Sequence, residues 1–181
     1  MQTIAEGDLR QVAVLFRRYR DPIFGYLVQQ TRGNRRVAED LLQDSFERLI
    51  KYRKSYRYGS SFRVWLFTIA RNRLHDWRKQ RQRQREQEEE VFFALPPGTG
   101  PYGQVDTSSL DRMVEQEEAL DRAKALAQLP DNYREVVDLA WKRGLKYAEI
   151  AEVLQTTESN VKVRMHRACK QLKTNYFKIH S

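Results

Sequence analysis

YAEIAEVLQTTESNVKVRMHRACKQL, residues 147–172, contains two helical patterns separated by a turn. YAEIAEVL predicts a short helix and QTT a tight turn. Apolar residues at helical spacing then predict a longer helix from Glu158 onward. Its buried residues are predicted to be Val161, Met165, Ala168, Leu172 and Tyr176. This order of elements is typical of a helix-turn-helix motif, whose second helix enters the major groove of DNA.

The opposite side of that second helix is polar and basic. Arginine and lysine can donate to guanine, asparagine can pair with adenine, and valine can contact the thymine methyl group. An ordinary three-helix bundle with a solvated basic face is the alternative interpretation. The residues predicted to reach DNA from this helix are Ser159, Asn160, Lys162, Val163, Arg164, His166 and Arg167.

Helical spacing of apolar residues extends over nearly the whole chain, and no strand is predicted, so the expected fold class is all-α. Asp8 is predicted to cap a first helix. Asp21 followed by Pro22 is predicted to open a second, because the first turn of a helix does not need the N–H that proline lacks. Ser60 or Ser61 is predicted to cap a later helix.

The composition changes sharply after that later helix. Residues 86–121 carry ten acidic residues and one arginine, a net charge of −9, and PPGTGPYG within them excludes regular structure. We therefore predict two small helical domains, residues 1–85 and 110–181, joined by a flexible acidic linker at residues 86–109. In the second domain, a helix predicted from Asn132 closes at Gly144 as a C-terminal cap.

Positive charge lies on both sides of the linker. The chain of 181 residues has a formal net charge of +9. Residues 61–85 carry eight Arg/Lys against one Asp (+7), and residues 146–181 carry seven against three Glu (+4). Both segments are therefore predicted to bind phosphate.

Several classes of protein are not supported by the sequence. One cysteine, Cys169, and three separated histidines provide no disulfide framework and no metal site, and Cys169 is predicted to be a small packing residue. No nucleophile-base set or phosphate-binding glycine loop indicates an enzyme or a cofactor. Since neither a secretory signal nor an apolar run of about 18 residues is present, we expect a cytoplasmic protein without membrane insertion.

A third predicted helix, residues 35–52, has an acidic stripe within AEDLLQDSFE. Its buried side is predicted to hold Val37, Leu41, Leu42, Phe46, Leu49 and Ile50. The stripe consists of Glu39, Asp40, Gln43, Asp44 and Glu47. From the residues alone, a solvated helix face is the usual interpretation of such a stripe.

The helix after Ser61 has one apolar and one polar side. Its inward residues are predicted to be Phe62, Trp65, Leu66, Ile69, Leu74 and Trp77. The outward side presents Arg63, Arg71, Asn72, His75, Arg78 and Lys79. The loop before it, residues 54–60, combines aromatic and basic residues with Gly59, which permits close backbone approach.

Three stretches together resemble the bacterial extracytoplasmic-function (ECF) sigma factors of the sigma-70 superfamily. They are AEDLLQDSF, FRVWLFTIARNRLHDWRK, and the segment from LPDNYREVV through the helix-turn-helix, in the family's order. The likeness covers about residues 8–80 and 115–175. It implies an alternative-type sigma factor that binds core RNA polymerase and directs promoter-specific transcription initiation.

The resemblance also implies roles for the surfaces. The acidic stripe would dock on the beta-prime clamp coiled coil, and the helix-turn-helix would read the minus-thirty-five element near the beta flap. The loop and the following helix would bind and melt the minus-ten element, where aromatic stacking and cations offset the cost of opening DNA. These minus-ten residues would be Lys54, Tyr56, Arg57, Tyr58, Arg71, Asn72, His75, Arg78 and Lys79.

Two positions depart from the family pattern. Members usually carry Gly-Thr before the valine of the recognition helix and Ser or Thr at the start of the preceding short helix. This chain has Ser159-Asn160 and Lys146 there. The differences affect which minus-thirty-five sequence is read and how strongly.

Two points concern partners. Members of the family are often held inactive by an anti-sigma protein. Their linker threads into the basic cleft of the polymerase, which an acidic linker would suit. The alternative is that the acidic linker only increases solubility. The rival function is a helix-turn-helix regulator that binds DNA without polymerase. A gel shift with and without core enzyme would separate the two functions.

Overall fold

The structure, a computed structural model, describes residues 10–56, 61–89 and 121–179. These residues form helices and connecting turns without any strand, which confirms the predicted all-α class. In chain order the helices are α1 (Arg10–Gln30), α2 (Arg35–Lys51), α3 (Phe62–Glu89), α4 (described over 121–127), α5 (Asp131–Val137), α6 (Tyr147–Leu154) and α7 (Glu158–Ile179). A short 3-10 helix, Arg53–Ser55, follows α2.

The prediction of two helices before residue 31 was wrong. Residues Arg10–Gln30 form one helix with Pro22 inside it. Proline removes one backbone hydrogen bond and disfavours the helix there. The helix continues because Ile23, Tyr26 and Leu27, just after the proline, are fully buried and fix the chain against its neighbours. The proposed cap Asp8 lies outside the described residues.

Both following helices begin at capping side chains. Asn34 Oδ1 accepts a hydrogen bond from the Val37 backbone N–H at 3.1 Å. Ser61 Oγ accepts from the Val64 N–H at 3.4 Å, so Ser61 takes the predicted capping role at α3. The helix α3 continues to Glu89, four residues into the predicted linker; the linker from residue 90 lies outside the described residues.

The helices α1, α2 and α3, here called the N-terminal helices, bury one apolar side each. The predicted inward positions of α2 and α3 are buried or partly buried, and Ala38, Val64, Phe67 and Ala70 add to them. The C-terminal helices, α4 to α7, bury Val161, Met165 and Ala168 of α7 as predicted, with Leu172 partly buried.

Two expectations for the C-terminal helices need correction. Cys169 is exposed rather than packed, because its position on α7 lies just past the buried stripe at Ala168. The helix α5 does not run regularly to Gly144: residues Asp138–Lys142 widen into a π-helical turn. Gly144 then ends the element with φ +61°, a left-handed conformation that glycine adopts without strain.

The buried apolar residues form one cluster that includes members of both groups of helices. The helix α3 packs along α6, and α1 approaches α5 and its π-turn. Gly25 allows this approach, because a Cβ atom there would lie 2.9 Å from Nη2 of Arg143. The two groups therefore share a core in this arrangement.

Candidate nucleic-acid and protein interfaces

The outer side of α2 carries an acidic face, defined here as Glu39, Asp40, Gln43 and Glu47. All four side chains are exposed, because Ala38, Leu41 and Leu42 take the inner positions of the helix. Gln43 Nε2 donates to Glu47 Oε1 at 2.9 Å. Within the described part of the chain, neither Glu39 nor Asp40 forms an ion pair, so both carboxylates are available to a cationic partner.

Asp44 belongs to the predicted stripe but has different surroundings. Its Oδ2 accepts a hydrogen bond from Nε of Arg73 at 2.6 Å, and Nε of Arg48 lies 3.9 Å from its Oδ1. Arg73 also contacts Asp76 at 2.9 Å. A short, partly buried, charge-assisted bond of this kind joins α2 to α3. Asp44 thus stabilises the packing of the helices that present the acidic face.

The first three turns of α7 present the residues predicted for the minus-thirty-five element. Six of the seven are exposed, and Arg164 is partly buried. Thr157 caps the helix, since its Oγ1 accepts from the Asn160 backbone N–H at 3.2 Å. The Asn160 amide donates to Thr156 Oγ1 at 2.8 Å, and Lys162 Nζ lies 2.7 Å from Glu158.

Those contacts orient the side chains before any DNA is bound. Asn160 would have to exchange its bond to Thr156 for a base edge, whereas Val163, His166 and Arg167 are exposed. The turn before α7 is fixed by Gln155, which has φ +51°. At the start of α6, the Lys146 backbone N–H donates to Glu149 Oε2 at 2.8 Å. This bond satisfies the backbone N–H of Lys146 at the N-terminus of α6, where the family usually has a Ser or Thr.

The predicted minus-ten residues of α3 fall into two groups, one exposed and one partly covered. Asn72, His75 and Lys79 are exposed. Arg71 and Arg78 are partly covered, with side-chain exposures of 22% and 29%. Nε of Arg71 lies 3.9 Å from Glu135 of α5. Arg78 donates to the Gln30 carbonyl oxygen of α1 at 2.8 Å and lies 3.7 Å from Asp131 of α5.

The predicted minus-ten residues of the loop before α3 also differ in exposure. Lys54 is exposed. The Tyr56 ring packs edge-on against Phe62 and Trp65, at centroid distances of 6.1 Å and 5.2 Å, and Tyr19 completes this aromatic cluster on Phe62. Tyr56 would have to leave this packing in order to stack on a base. Arg57 and Tyr58 lie outside the described residues.

Two family models match the chain, each over one group of helices. Sigma-70 region 2 matches residues 15–84, and Sigma-70 region 4 matches residues 123–172. The RNA polymerase sigma factor YlaC of Bacillus subtilis is 33% identical over 91% of this chain and 91% of its own length. The ECF RNA polymerase sigma factor SigL of Mycobacterium tuberculosis is 30% identical over 93% of this chain and 90% of its own. The chain belongs to the ECF sigma factors.

A solved structure agrees with this fold. The sigma factor RpoE of Bartonella quintana, crystallised with the anti-sigma factor NepR, superposes with a TM-score of 0.65 and 24% identity. The superposition covers 94% of each chain. The two sigma-70 regions and the ECF relatives identify this protein as a non-enzymatic initiation factor that binds core RNA polymerase and promoter DNA.

Two features are absent from the part of the chain that the structure describes. None of their helices is long and apolar enough to cross a membrane. Within the same residues, no group of three or more His, Cys, Asp or Glu side chains is arranged to hold a metal ion.

The sequence predicted no role for three carboxylates of α5 and its π-turn, which are Asp131, Glu135 and Asp138. Burial and the nearby Glu135 raise the pKa of the Tyr26 hydroxyl well above 10.0. Burial raises the pKa of Asp138, although Arg143 lies 3.5 Å away. Burial acts in the same direction on Asp131, but the surrounding arginines outweigh it and lower the pKa of that carboxyl. The one signal in the sequence was acidic residues at helical spacing in DNYREVVD.

Proposed function

We propose that this ECF sigma factor docks on core polymerase through the acidic face of α2 and reads promoters through α7 and α3. The supporting observation is the separation of charge between exposed faces. Glu39, Asp40 and Glu47 project from α2, while Lys162, Arg164 and Arg167 project from the recognition helix. Opposite charges on separate faces suit a protein that holds a basic protein and a polyanion at the same time.

The acidic face would meet the beta-prime clamp coiled coil. Exposed carboxylates steer a cationic partner toward the surface and fix the register in which it docks. Asp44 would hold α2 against α3 beneath that contact, because its bond to Arg73 already uses one carboxylate oxygen.

The recognition helix would select the minus-thirty-five element, near the beta flap, and α3 with the preceding loop would open the minus-ten element. Ser159, Asn160 and Lys162 lie in the first turns of α7, where a helix-turn-helix contacts base edges. On α3, Asn72, His75 and Lys79 would contact the DNA of the opened region. A factor with these partners would act in the bacterial cytoplasm. Capture by an anti-sigma protein and entry of the acidic linker into the polymerase cleft remain expectations from the family.

Asp40→Lys tests the docking surface. We expect it to weaken binding to core polymerase roughly tenfold at low salt, and by less at high salt, because exposed charges are screened. Binding is measured by fluorescence anisotropy of labelled sigma factor titrated with core enzyme. Circular dichroism should show unchanged helix content, since Asp40 is exposed and has no ion pair among the described residues.

Asp21→Lys is the matched control. Asp21 is an exposed acidic residue of a different helix, α1, with a side-chain exposure of 82% and an exposed ion pair to its neighbour Arg20 at 3.3 Å. The charge change is identical, so a general effect of net charge would weaken both variants equally. Equal affinity of Asp40→Lys and the unsubstituted protein for core enzyme would refute the docking surface.

A further inference from the structure

The recognition helix α7 carries one acidic residue, Glu158, together with six lysines and arginines. Glu158 is the first residue of the helix. In a helix-turn-helix, the N-terminal residues of the recognition helix are those that contact base edges. A carboxylate at this end is repelled by DNA phosphates and weakens binding to DNA in general. A base that donates a hydrogen bond to Glu158 would offset that repulsion.

Glu158 is joined to Lys162, which lies one turn further along the helix. Lys162 Nζ is 2.7 Å from Glu158 Oε1, and the two side chains are 60% and 47% exposed. A carboxylate oxygen has two lone pairs, and an ammonium group has three N–H donors. Both groups therefore keep capacity for further hydrogen bonds, and the pair presents an acceptor and a donor side by side.

Neighbouring contacts hold this end of α7 in one conformation. Thr157 Oγ1 accepts a hydrogen bond from the Asn160 backbone N–H at 3.2 Å. Gln155 turns the preceding chain with φ +51°. Groups that are ordered before binding lose less conformational entropy when they bind. The acceptor and the donor of the pair thus have a defined place at the start of the recognition helix.

One base pair offers the complementary pattern in the major groove. Cytosine presents the N4 amino donor, and its partner guanine presents the O6 and N7 acceptors. Cytosine N4 and guanine O6 are hydrogen-bonded to each other, at the usual length of about 2.9 Å. This spacing matches the 2.7 Å between the donor and the acceptor of the ion pair.

We propose that Glu158 and Lys162 read one base pair together, with Glu158 accepting from cytosine N4 and Lys162 donating to guanine O6 and N7. The inference rests on the proposed role of α7 in reading the minus-thirty-five element, and it names a base pair within that element. Glu158 is thereby a specificity-determining residue, in addition to the basic and polar residues of the same helix.

The same chemistry ranks the other base pairs. Adenine in place of cytosine is second, because its N6 amino group also donates, but its thymine partner offers Lys162 one acceptor beside a methyl group. Guanine or thymine beneath Glu158 places a carbonyl oxygen against the carboxylate. Two acceptors repel each other, so these bases are disfavoured at this position.

The alternative is that the pair only stabilises α7. A glutamate four residues before a lysine stabilises a helix, and a carboxylate in the first turn interacts favourably with the helix dipole. These effects do not depend on the sequence of the DNA. Base preference is therefore the measurement that distinguishes reading from stabilisation.

Base preferences are measured with holoenzyme, formed from the full-length sigma factor and core polymerase. The probe is a duplex DNA library randomised in both promoter elements, and sequencing of the bound fragments gives the preference at each position. For the unsubstituted protein, we expect one minus-thirty-five position at which cytosine is preferred about tenfold over guanine or thymine.

Glu158→Gln tests the acceptor. The glutamine amide has nearly the shape of the carboxylate but can donate as well as accept, so guanine and thymine are no longer repelled. We expect the preference at this one position to fall below about threefold, with the other positions unchanged. Circular dichroism should show unchanged helix content, because Glu158 is exposed.

Lys162→Met tests the donor and the sharing of one base pair. It removes the ammonium group and keeps an unbranched apolar side chain. We expect cytosine and adenine to become equivalent at the position that Glu158→Gln affects, while Glu158 still disfavours guanine and thymine. A change of preference at a different position would overturn the shared reading.

Glu152→Gln is the matched control. Glu152 is an exposed acidic residue of α6, the helix before the recognition helix, and its substitution changes the net charge by the same amount. We expect affinity to change equally for all sequences, because phosphate contacts do not depend on sequence. The order of preferred bases should stay the same at every position.

Unchanged preferences in Glu158→Gln would overturn the inference, as would a uniform change of affinity like that of Glu152→Gln. In both cases, preferences retained elsewhere in the minus-thirty-five element leave the proposed function of α7 intact. An unsubstituted holoenzyme with no preference anywhere in that element would instead refute the proposed function, and the inference with it.

Discussion

Asp40 and Asp44 lie one turn apart on α2, yet their surroundings are opposite. Asp40 is exposed, while Asp44 accepts a short hydrogen bond from Arg73 of α3. The sequence spacing that places both on one stripe contains no information on which of them an arginine 29 residues later will reach. Substitution of Asp44 would therefore disturb helix packing as well as docking, and Asp40 is the better probe of the acidic face.

Arg164 offers a residue-level test of promoter reading. Replacement by alanine should cost about 1–3 kcal/mol of discrimination between promoter variants if the guanidinium contacts a base. If it contacts phosphate, binding should weaken equally for all sequences, and the salt dependence should decrease. Competition binding of holoenzyme to a library of minus-thirty-five variants distinguishes the two outcomes.

Lys178→Ala is the control for Arg164→Ala. Lys178 is an exposed cation in the last turn of the same helix, roughly 20 Å along the axis from Arg164 at the usual rise per residue. Its removal should leave the order of preferred sequences unchanged. The same loss of discrimination in both variants would contradict base reading by Arg164.

At the scale of one element, the π-turn after α5 places a carboxylate in the core. Asp138 is 2% exposed, and one of its oxygens, Oδ1, has no hydrogen-bond partner among the described residues. Arg143, from the end of the same turn, reaches the other oxygen at 3.5 Å. π-Turns are rare and occur mostly as single turns within α-helices. Helical periodicity in the sequence gives no sign of this one.

The raised pKa of Asp138 predicts a specific pH dependence. A carboxyl whose pKa is higher in the folded than in the unfolded state binds protons more tightly when folded, so stability rises as pH falls through the raised value. Relative to Asp138→Asn, the unsubstituted protein should therefore gain stability as pH is lowered from 7 toward the usual range of aspartate. Urea unfolding of both proteins across this range measures the difference.

Asp131→Asn is the comparison, because the stability contribution of Asp131 should change with pH in the opposite direction. The pKa of Asp131 is lowered, so its contribution is present above the usual aspartate value of 3.8 and is lost as pH falls below it. Relative to Asp131→Asn, the unsubstituted protein should lose stability at acid pH. The same sign for both variants would contradict the assigned surroundings of the two carboxylates.

At the scale of the whole molecule, the two groups of helices share one buried apolar cluster. Ile150 of α6 is fully buried, and its replacement by alanine should cost about 2–5 kcal/mol. If the two groups of helices unfold together, the N-terminal helices should lose the same free energy of unfolding. In a Trp141→Phe background, the remaining tryptophans, Trp65 and Trp77, both lie in α3 and report on that part alone.

We expect Ile150→Ala to lower the urea midpoint that Trp65 and Trp77 fluorescence reports. Trp141 is 56% exposed, so the background substitution should have little effect by itself. The matched control is Leu49→Ala, which removes a fully buried side chain of α2 and lowers the same midpoint directly. An unchanged midpoint in Ile150→Ala would show that the two groups unfold independently.

The sequence by itself determined the helical class, the helix-turn-helix and the acidic face of α2, because these depend on spacing within one segment. Periodicity placed α6 correctly at residues 147–154 and the buried stripe of α7 at Val161, Met165 and Ala168. Membership of the ECF sigma factors followed from motifs in their order along the chain.

Only the tertiary structure decided how distant segments meet. The pairing of Asp44 with Arg73, the continuity of α1 through Pro22 and the contacts of Glu135 and Asp131 with α1 and α3 all join residues whose neighbours are set by packing. Local spacing fixes which side of a helix faces inward. The identity of the opposing side chain depends on burial and charge across the folded molecule, and these have no signature within a single helix.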